Sequence, residues 1–225
     1  MRLSLIIPAL DEAAGILGSL QALQPLRGRG AEVIVVDGGS KDATATLAEP
    51  LADLVLAAPR GRARQMNAGA AAASGDALVF LHADTRLPAD ADGLVGAALE
   101  GHAWGRFDVA IDSRRASLRV VAAMMNLRSR LTGIATGDQA IFATADAFRR
   151  VGGFPEIALM EDVAFSAAAR RVAPPACLRE RVLTSGRRWE KHGVLRTIVL
   201  MWRLRAAYAM GADPDALARR YAGQG

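Results

Sequence analysis

Residues 33–40 have the sequence VIVVDGGS, in which four β-branched residues run directly into an aspartate and two glycines. Residues 3–8 (LSLIIP) and 77–81 (ALVFL) are also apolar at almost every position, and they are followed by Asp11-Glu12 and by His82-Ala83-Asp84. Strands of this kind are buried on both faces, as in parallel sheets. Because helical patterns lie between them, the order of elements predicts an α/β fold with a right-handed, doubly wound, mostly parallel sheet flanked by helices.

The rest of the chain continues this alternation. Helical patterns cover residues 12–23, 42–47, 64–73, 116–131, 145–151, 161–172 and 194–210, and further strands are expected at 54–56, 104–111 and 141–144. In an open parallel sheet, ligands bind in the crevice beyond the carboxyl ends of the strands. Acidic side chains at that edge, without a G-x-G-x-x-G fingerprint after the first strand, disfavour a dinucleotide enzyme and favour a sugar-nucleotide site with a metal at the phosphates.

Composition narrows the class of protein. The 225 residues fit one domain, and their formal charge of +5 comes mostly from arginine. No aromatic-studded basic motif or recognition helix accompanies this charge, so we expect no nucleic-acid partner. There is no run of about 20 uncharged apolar residues, and the chain enters a strand at once without a signal-peptide pattern. Since Cys177 is the single cysteine, nothing argues for an oxidising compartment, and we expect a cytoplasmic protein.

The motifs resemble those of a family 2 glycosyltransferase with the GT-A fold. Residues 4–12 and 35–44 look like its opening, while residues 61–69 (GRARQMNAG), 152–156 (GGFPE) and Glu161-Asp162 match further blocks in order. The 61–69 block is most similar to a bacterial subgroup associated with selenodomains or arsenosugars. The resemblance implies a GT-A domain over residues 1–192 and a C-terminal helical extension over residues 193–225 that carries an amphipathic helix.

The same resemblance implies an inverting transfer of a hexosyl-type group from a nucleoside-diphosphate sugar, UDP- or GDP-linked, with Mn²⁺ or Mg²⁺. Asp84 is the expected metal ligand, because hard cations take carboxylate oxygens and phosphates, and His192 is the expected further ligand. The family usually has Asp-X-Asp at this point, whereas this chain has His82 first; His82 is expected to contact the ribose or to favour Mn²⁺. The alternative is that Asp84 only caps a turn.

Two adjacent carboxylates are the catalytic candidates. Asp162 is the expected general base that takes the proton of the acceptor, and Glu161 is the second member of the pair. Neighbouring residues on a helix point in different directions, so one can react while the other anchors. The alternative is that both carboxylates are present only because the positive end of the helix dipole stabilises negative charge there.

The remaining site residues follow from the resemblance. Asp37 is expected to accept a hydrogen bond from the nucleotide base, and the arginines are suited to phosphate or are solvated charges. The predicted nucleotide-binding residues are Pro8, Ala9, Leu10, Glu12, Asp37, Ser40, Arg62, Arg64, Asn67, His82 and Ala83. The predicted acceptor-binding residues are Trp104, Gly137, Asp138, Gln139, Arg188 and Trp189, with core packing as the alternative for the tryptophans.

Two amphipathic helices raise the question of a membrane. The faces are Leu118, Val121, Ala122 and Met125 in one helix and Leu195, Ile198, Val199 and Trp202 in the other, each with nearby arginines. Such helices can lie on an anionic membrane surface, at the inner membrane face in this case, with a lipid-like acceptor. The alternatives are packing on the core or on a second subunit. Competing functions are a non-catalytic nucleotide-binding protein and a sugar-1-phosphate nucleotidyltransferase, whose glycine-rich lysine loop is missing here.

Overall fold

The computed structural model describes residues 1–223 and begins with a βα alternation. Its elements are β1 (Leu3–Ala9), α1 (Ile16–Gly28), β2 (Glu32–Asp37), α2 (Thr44–Ala48), β3 (Leu54–Ala57), α3 (Arg62–Ala72) and β4 (Ala77–Phe80). The predicted first helix begins later than expected, because residues 12–15 form a turn. In that turn the backbone N–H of Glu12 donates to Thr44 and that of Ala13 to Asp42.

The second half mixes strands and helices. It contains β5 (Thr85–Arg86), α4 (Ala91–Gly101), β6 (Trp104–Asp112), α5 (Ala116–Thr132), β7 (Phe142–Thr144), α6 (Ala145–Val151), α7 (Glu161–Val172), β8 (Ala176–Ser185), α8 (Arg187–His192), α9 (Val194–Ala209) and α10 (Pro214–Ala222). The bounds predicted for α6 and α7 are confirmed. The sequence patterns did not predict β5, α4, β8, α8 or α10.

The strands form one eight-stranded sheet in the order β3-β2-β1-β4-β7-β6-β8-β5. Pairing is parallel from β3 through β4, where Ile6 lies between Ile34 and Phe80. Strand β7 is antiparallel to both of its neighbours, and β6 and β8 pair in parallel. The edge strand β5 is antiparallel to β8. The predicted α/β fold with a mostly parallel sheet flanked by helices is therefore confirmed, with one antiparallel strand near its centre and one at its edge.

Burial on both faces explains the continuous apolar strands. Leu5 and Val35 point into the core on one face of the sheet, whereas Ile6 and Ile34 point into the core on the other. All four side chains are fully buried. Successive residues of a strand point to opposite faces, so a strand covered on both sides must be apolar throughout and its polar residues are confined to its ends.

The two amphipathic helices behave differently. In α5 the predicted face of Leu118, Val121 and Ala122 is buried in the domain core, so core packing is the correct interpretation there. In α9, Leu195 is 79% exposed and Trp202 is 69% exposed. Within the part of the chain that the structure describes, no helix is long and apolar enough to cross a membrane.

Close packing of α3 on the sheet depends on Gly69. A Cβ atom added there would lie 2.5 Å from Ile6 Cγ2 and 3.0 Å from Val36 Cγ2, well inside van der Waals contact. This glycine therefore lets α3 lie against β1 and β2, next to the edge where the site residues gather.

We expect Gly69→Ala to destabilise the fold by about 1–3 kcal/mol, because the methyl group overpacks the helix–sheet interface. The matched control is Gly96→Ala in α4, where an added Cβ meets nothing within 4 Å. Because the unfolded chain loses less backbone entropy on folding with alanine than with glycine, this variant should be more stable by about 0.5–1 kcal/mol. Urea unfolding at fixed pH measures both. Equal midpoints for the two variants would contradict this account.

Candidate active site

The loop after β2 is organised by the Asp37 carboxylate. Oδ2 of Asp37 accepts hydrogen bonds of 3.0 Å from the backbone N–H groups of Gly39 and of Ser40, and Oδ1 accepts one from the Ser40 hydroxyl. Gly39 has φ +86°, a left-handed conformation that glycine adopts without strain. The carboxylate predicted to bind the nucleotide base thus also holds its own turn in shape.

The loops after β1 and β2 are joined to each other. The N–H of Asp11 donates to Ser40 Oγ at 2.9 Å, and the N–H of Lys41 donates to Asp11 Oδ1 at 2.8 Å. Asp11 has φ 54°, an uncommon conformation for a residue other than glycine and one that such reciprocal bonds stabilise. These loops present Leu10, Glu12 and Ser40 at the sheet edge as one connected unit.

Gln65 joins the ends of the two strands and is a residue that the sequence analysis missed. Its buried Nε2 donates to the carbonyl oxygens of Ala9 and Val36, both at 2.8 Å. A Cβ on Gly38 would lie 2.9 Å from the Gln65 side chain, so the glycine leaves room for this clamp. Its position inside the 61–69 block was visible, but its partners are far away in sequence.

The other polar residues of that block have separate partners. Arg62 Nη1 lies 3.1 Å from Oε1 of the buried Glu161, whereas Arg64 makes an exposed ion pair with Glu156. Both amide atoms of the Asn67 side chain bind the backbone of Phe154. The structure therefore gives Asn67 a structural role and directs Arg62 towards the carboxylates that are predicted to be catalytic.

Asp84 and Glu12 share one arginine. Arg187 Nη2 lies 3.5 Å from Asp84 Oδ2 and 3.4 Å from Glu12 Oε2. The Arg187 side chain is well exposed, so a ligand can compete for both carboxylates. No three His, Cys, Asp or Glu side chains among residues 1–223 come together in a way that would hold a metal ion by themselves.

His82 points towards the predicted acceptor side. Its Nδ1 lies 3.3 Å from Asp138 Oδ1, and its Nε2 is buried without a hydrogen-bond partner. The ring is pressed against Gly137, where a Cβ would lie 2.3 Å from Nε2. Burial alone would raise the pKa of Asp138, but the hydrogen bond from His82 and the charges of Arg62 and Arg188 outweigh it and lower that pKa.

Asp162 is held at the start of α7. Its Oδ2 accepts a 2.8 Å hydrogen bond from the Gly137 N–H, and its Oδ1 accepts one from its neighbour Val163. Burial raises the pKa of Asp162 to about 6, and the adjacent Glu161 acts in the same direction against Gly137 and Arg62. A carboxylate with such a pKa is ionised at neutral pH and yet basic enough to accept a proton.

The C-terminal candidates are spread along α8. Arg188 stacks on Tyr221 with its Cζ atom 3.5 Å from the ring centroid, while Trp189 packs against the domain core. Burial lowers the pKa of His192, and the neighbouring cations Lys191, Arg188 and Arg196 lower it further. Among the described residues, the charged groups that act on His192 are therefore cations. A metal ligand is expected beside carboxylates instead, so these surroundings do not favour a metal at His192.

Two predicted acceptor residues are part of the core instead. Trp104 is 1% exposed, and its indole N–H donates to the carbonyl of Ala173 at 2.8 Å. Gln139 is fully buried, and its side chain caps the Thr136 N–H. Neither side chain can reach a substrate, so both predictions are wrong. Pro8 is near the carboxyl end of β1, and Ala83 is in the loop that follows β4. The carbonyl oxygen of Ala9 accepts the hydrogen bond from Gln65 Nε2.

The sequence model of the glycosyl transferase family 2 matches residues 4–149, which is more than half of the chain. The chain belongs to this family. The match runs from β1 to α6, and it therefore includes the loops around Asp37 and Asp84. No curated protein sequence is a detectable relative of this family 2 member.

Solved structures share its fold. S. aureus TarS residues 1–349 in complex with UDP-GlcNAc superposes with a TM-score of 0.69 at 20% identity, covering 82% of this chain and 58% of that one. Mannosyltransferase PcManGT from Pyrobaculum calidifontis, in complex with GDP-Man and Mn²⁺, gives 0.67 at 22% identity, covering 99% and 69%. Glucosyl-3-phosphoglycerate synthase from Mycobacterium tuberculosis, with Mn²⁺, UDP and glucosyl-3-phosphoglycerate, gives 0.61 at 19%, covering 81% and 70%. The chain spans about three fifths of the TarS chain.

Proposed function

We propose that this chain is an inverting glycosyltransferase that moves a sugar from a nucleoside-diphosphate sugar to an acceptor hydroxyl. The observation that carries the proposal is the position of Asp162. Its carboxylate faces the turn at Gly137–Gln139, which His82 and Asp138 tie to the end of β4, so a base and a nucleotide edge lie side by side. Membership of glycosyl transferase family 2 supports this interpretation.

The donor is a UDP- or GDP-linked sugar. TarS with UDP-GlcNAc and PcManGT with GDP-Man share this fold, and the loops joined through Asp11, Asp37 and Ser40 lie at the edge where open α/β sheets bind ligands. The selenodomain- or arsenosugar-associated subgroup depends on the resemblance of residues 61–69, and the hexosyl nature of the transferred group depends on the family resemblance as a whole. Hydrolysis of a panel of UDP- and GDP-sugars tests the donor and separates an enzyme from a binding protein.

A divalent cation fits the residues at the edge. Asp84 and Glu12 offer carboxylate oxygens, which are the ligands that Mn²⁺ and Mg²⁺ prefer, and such ions are held by one or two carboxylates together with substrate phosphates. Mn²⁺ accompanies the ligands of PcManGT and of glucosyl-3-phosphoglycerate synthase. When bound, the ion would neutralise the charge on the departing nucleoside diphosphate. Asp84 is its proposed ligand, and the exposed Arg187 guanidinium is free to turn to the phosphates.

The chemistry then belongs to Asp162. Its carboxylate takes the proton of the acceptor hydroxyl, the acceptor oxygen bonds to the anomeric carbon, and the bond from that carbon to the diphosphate oxygen breaks. Attack from the face opposite the leaving group inverts the configuration. Arg62 holds Glu161 by an ion pair, so Glu161 is the anchoring member of the pair and Asp162 the reacting one.

Asp84→Ala should remove the metal-dependent part of donor binding. We expect Mn²⁺ to tighten UDP or GDP binding at least tenfold in the wild type, about 1.4 kcal/mol, and to have no effect in the variant. Isothermal titration calorimetry with and without Mn²⁺ measures this. The control is Asp76→Ala, which removes an exposed carboxylate at the other end of β4. Equal Mn²⁺ effects in wild type and Asp84→Ala would refute the assignment of Asp84.

Asp162→Asn should lower turnover by about 10²–10⁴-fold, because the amide keeps the shape but cannot take a proton. Release of UDP or GDP with water as acceptor measures this. In the wild type the rate should fall as the pH drops through about 6, since only the ionised carboxylate acts as a base. Asp146→Asn, a change at the same position of helix α6, should be silent. Normal turnover of Asp162→Asn would move the base elsewhere, with Asp138 the next candidate.

The acceptor is proposed to be lipid-like and presented at a membrane surface. Leu195, Val199 and Trp202 form an exposed apolar stripe on α9, and the exposed Arg196 and Arg203 lie beside it. Arginines next to an apolar face attract anionic headgroups by about 1 kcal/mol each. The proposed location is therefore the cytoplasm, with the protein bound peripherally to the inner face of the membrane through this stripe.

We expect the chain to co-sediment with anionic phosphatidylserine vesicles at low salt. Trp202→Glu should weaken binding about tenfold or more, because burial of a large apolar side chain is worth about 1.5–3 kcal/mol. The control Met124→Glu alters the exposed side of α5 and should bind normally. If the wild type stays in the supernatant, the membrane proposal fails, and its mass in solution then tests whether α9 instead covers a second subunit in a homodimer.

A further inference from the structure

The C-terminal helices return to the catalytic carboxylates. Met160, Leu204 and Leu217 form a small buried cluster in which α9 and α10 pack on the segment leading into α7, and Val163 and Tyr221 pack at its edge. Met160 and Val163 directly flank Glu161-Asp162. The hairpin formed by α9 and α10 is thus docked on both sides of the proposed base.

Met160 adds a constraint to this contact. It has φ 72°, a left-handed conformation that is costly for a residue other than glycine and persists only where the surroundings hold it. Its side chain is 4% exposed, because Leu204 and Leu217 cover it. The hairpin therefore stabilises the backbone turn that aims α7 and its carboxylates into the site.

Tyr221 of α10 makes the polar end of the contact. The Cζ atom of Arg188 lies over the Tyr221 ring, 3.5 Å from its centroid, and Arg188 Nη2 donates to the Tyr221 carbonyl oxygen at 3.2 Å. Cation–π contacts of this type are stronger where water is excluded. Because Arg188 also lowers the pKa of Asp138, the guanidinium joins α10 to the acid cluster.

Charged groups from four elements act on Tyr221. Helix α7 supplies Asp162, next to Glu161, and α3 supplies Arg62. Helix α8 supplies Arg188, and the 137–139 turn supplies Asp138, which His82 contacts. Burial raises the pKa of the Tyr221 phenol, and Asp138 and Asp162 act in the same direction against Arg188 and Arg62. Tyr221 and Val163 pack against the same small cluster, which places the Tyr221 ring on the side of α7 that carries the proposed base.

We propose that the α9–α10 hairpin is a cover over the acceptor side of the site, and that Tyr221 is the positioning residue that closes it by holding Arg188 and keeping water from Asp162. The proposal rests on the proposed function, since it takes Asp162 as the base. Exclusion of water matters in such a reaction, because an activated water next to the sugar donor would hydrolyse it, and the sugar would then be lost to water instead of being transferred to the acceptor. The acceptor would then enter between Tyr221 and Asp162.

The cover is built to open locally. Its buried apolar cluster is small beside the two clusters that flank the sheet, and segments with few buried contacts open at low free energy without unfolding the domain. Loss of the Tyr221 ring should therefore expose the start of α7 and leave the sheet intact.

The test compares three full-length variants. Tyr221→Ala removes the ring, Tyr221→Phe keeps the ring over Arg188 but removes the hydroxyl, and Tyr208→Ala removes another ring of the same hairpin that also lies at the edge of its apolar cluster. We expect amide hydrogen exchange at residues 158–165 to rise at least fivefold in Tyr221→Ala alone. The carboxyl ¹³C titration of Asp162 should move from about pH 6 towards the ordinary aspartate value in that variant and stay in place in Tyr221→Phe and Tyr208→Ala.

A donor experiment completes the test. Release of UDP or GDP to water should rise in Tyr221→Ala, because water now reaches Asp162, while calorimetric binding of the nucleotide stays unchanged. Unaltered exchange and an unaltered Asp162 titration in Tyr221→Ala would overturn the cover. Equal changes in Tyr208→Ala would also overturn the role of Tyr221, by assigning it to the stability of the hairpin. Exchange and titration need no donor, so a wild type that binds neither UDP nor GDP would refute the proposed function separately.

Discussion

Burial of the parallel strands on both faces is the constraint on which the rest of this structure depends. Strands β1, β2 and β4 have no face on which a polar side chain could meet water, so their polar residues gather at the strand ends. At the carboxyl ends the chain turns through Asp11, Asp37 and Asp84. The concentration of carboxylates at one edge is therefore a consequence of packing, and it is also the feature that makes the edge suited to a nucleotide and its metal.

A concentration of carboxylates needs cations to balance it, and this chain supplies arginine. Arg187 lies between Glu12 and Asp84, and Arg62 pairs with the buried Glu161. Glu161 and Arg62 push the pKa of Asp162 in opposite directions, and burial is the larger effect. The positive net charge of the chain is thus partly used inside the site, which offers an alternative to nucleic-acid binding as its explanation.

The sequence was sufficient for the parts of the fold that local patterns determine. The continuous apolar strands predicted the sheet, and helices α6 and α7 have the predicted bounds because glycine and proline residues mark their ends. Strand β8 was missed, since its exposed middle residues Arg179, Glu180 and Arg181 resemble a loop. Helix α10 was missed because Leu217 is the only one of its nine residues that is buried, so its sequence shows no continuous apolar face.

Site residues were predictable only as far as their partners are local. Asp162 and Asp84 stood out through the motifs around them. Gln65, Arg187 and Tyr221 act on residues far away in sequence, so no spacing pattern signals them. Trp104 was misassigned because a tryptophan suits both a sugar-binding surface and a core, and only the contact of its indole N–H with Ala173 decides between the two.

The central claim is that the nucleotide binds at the carboxyl edge of β1, β2 and β4, and amide hydrogen exchange of the wild type tests it most directly. Exchange would be followed with and without UDP or GDP in the presence of Mn²⁺. The account predicts protection confined to residues 9–13, 37–44 and 82–86, the loops that meet at this edge. Protection elsewhere with these loops unchanged, or no protection with either nucleotide at saturating concentration, would contradict it.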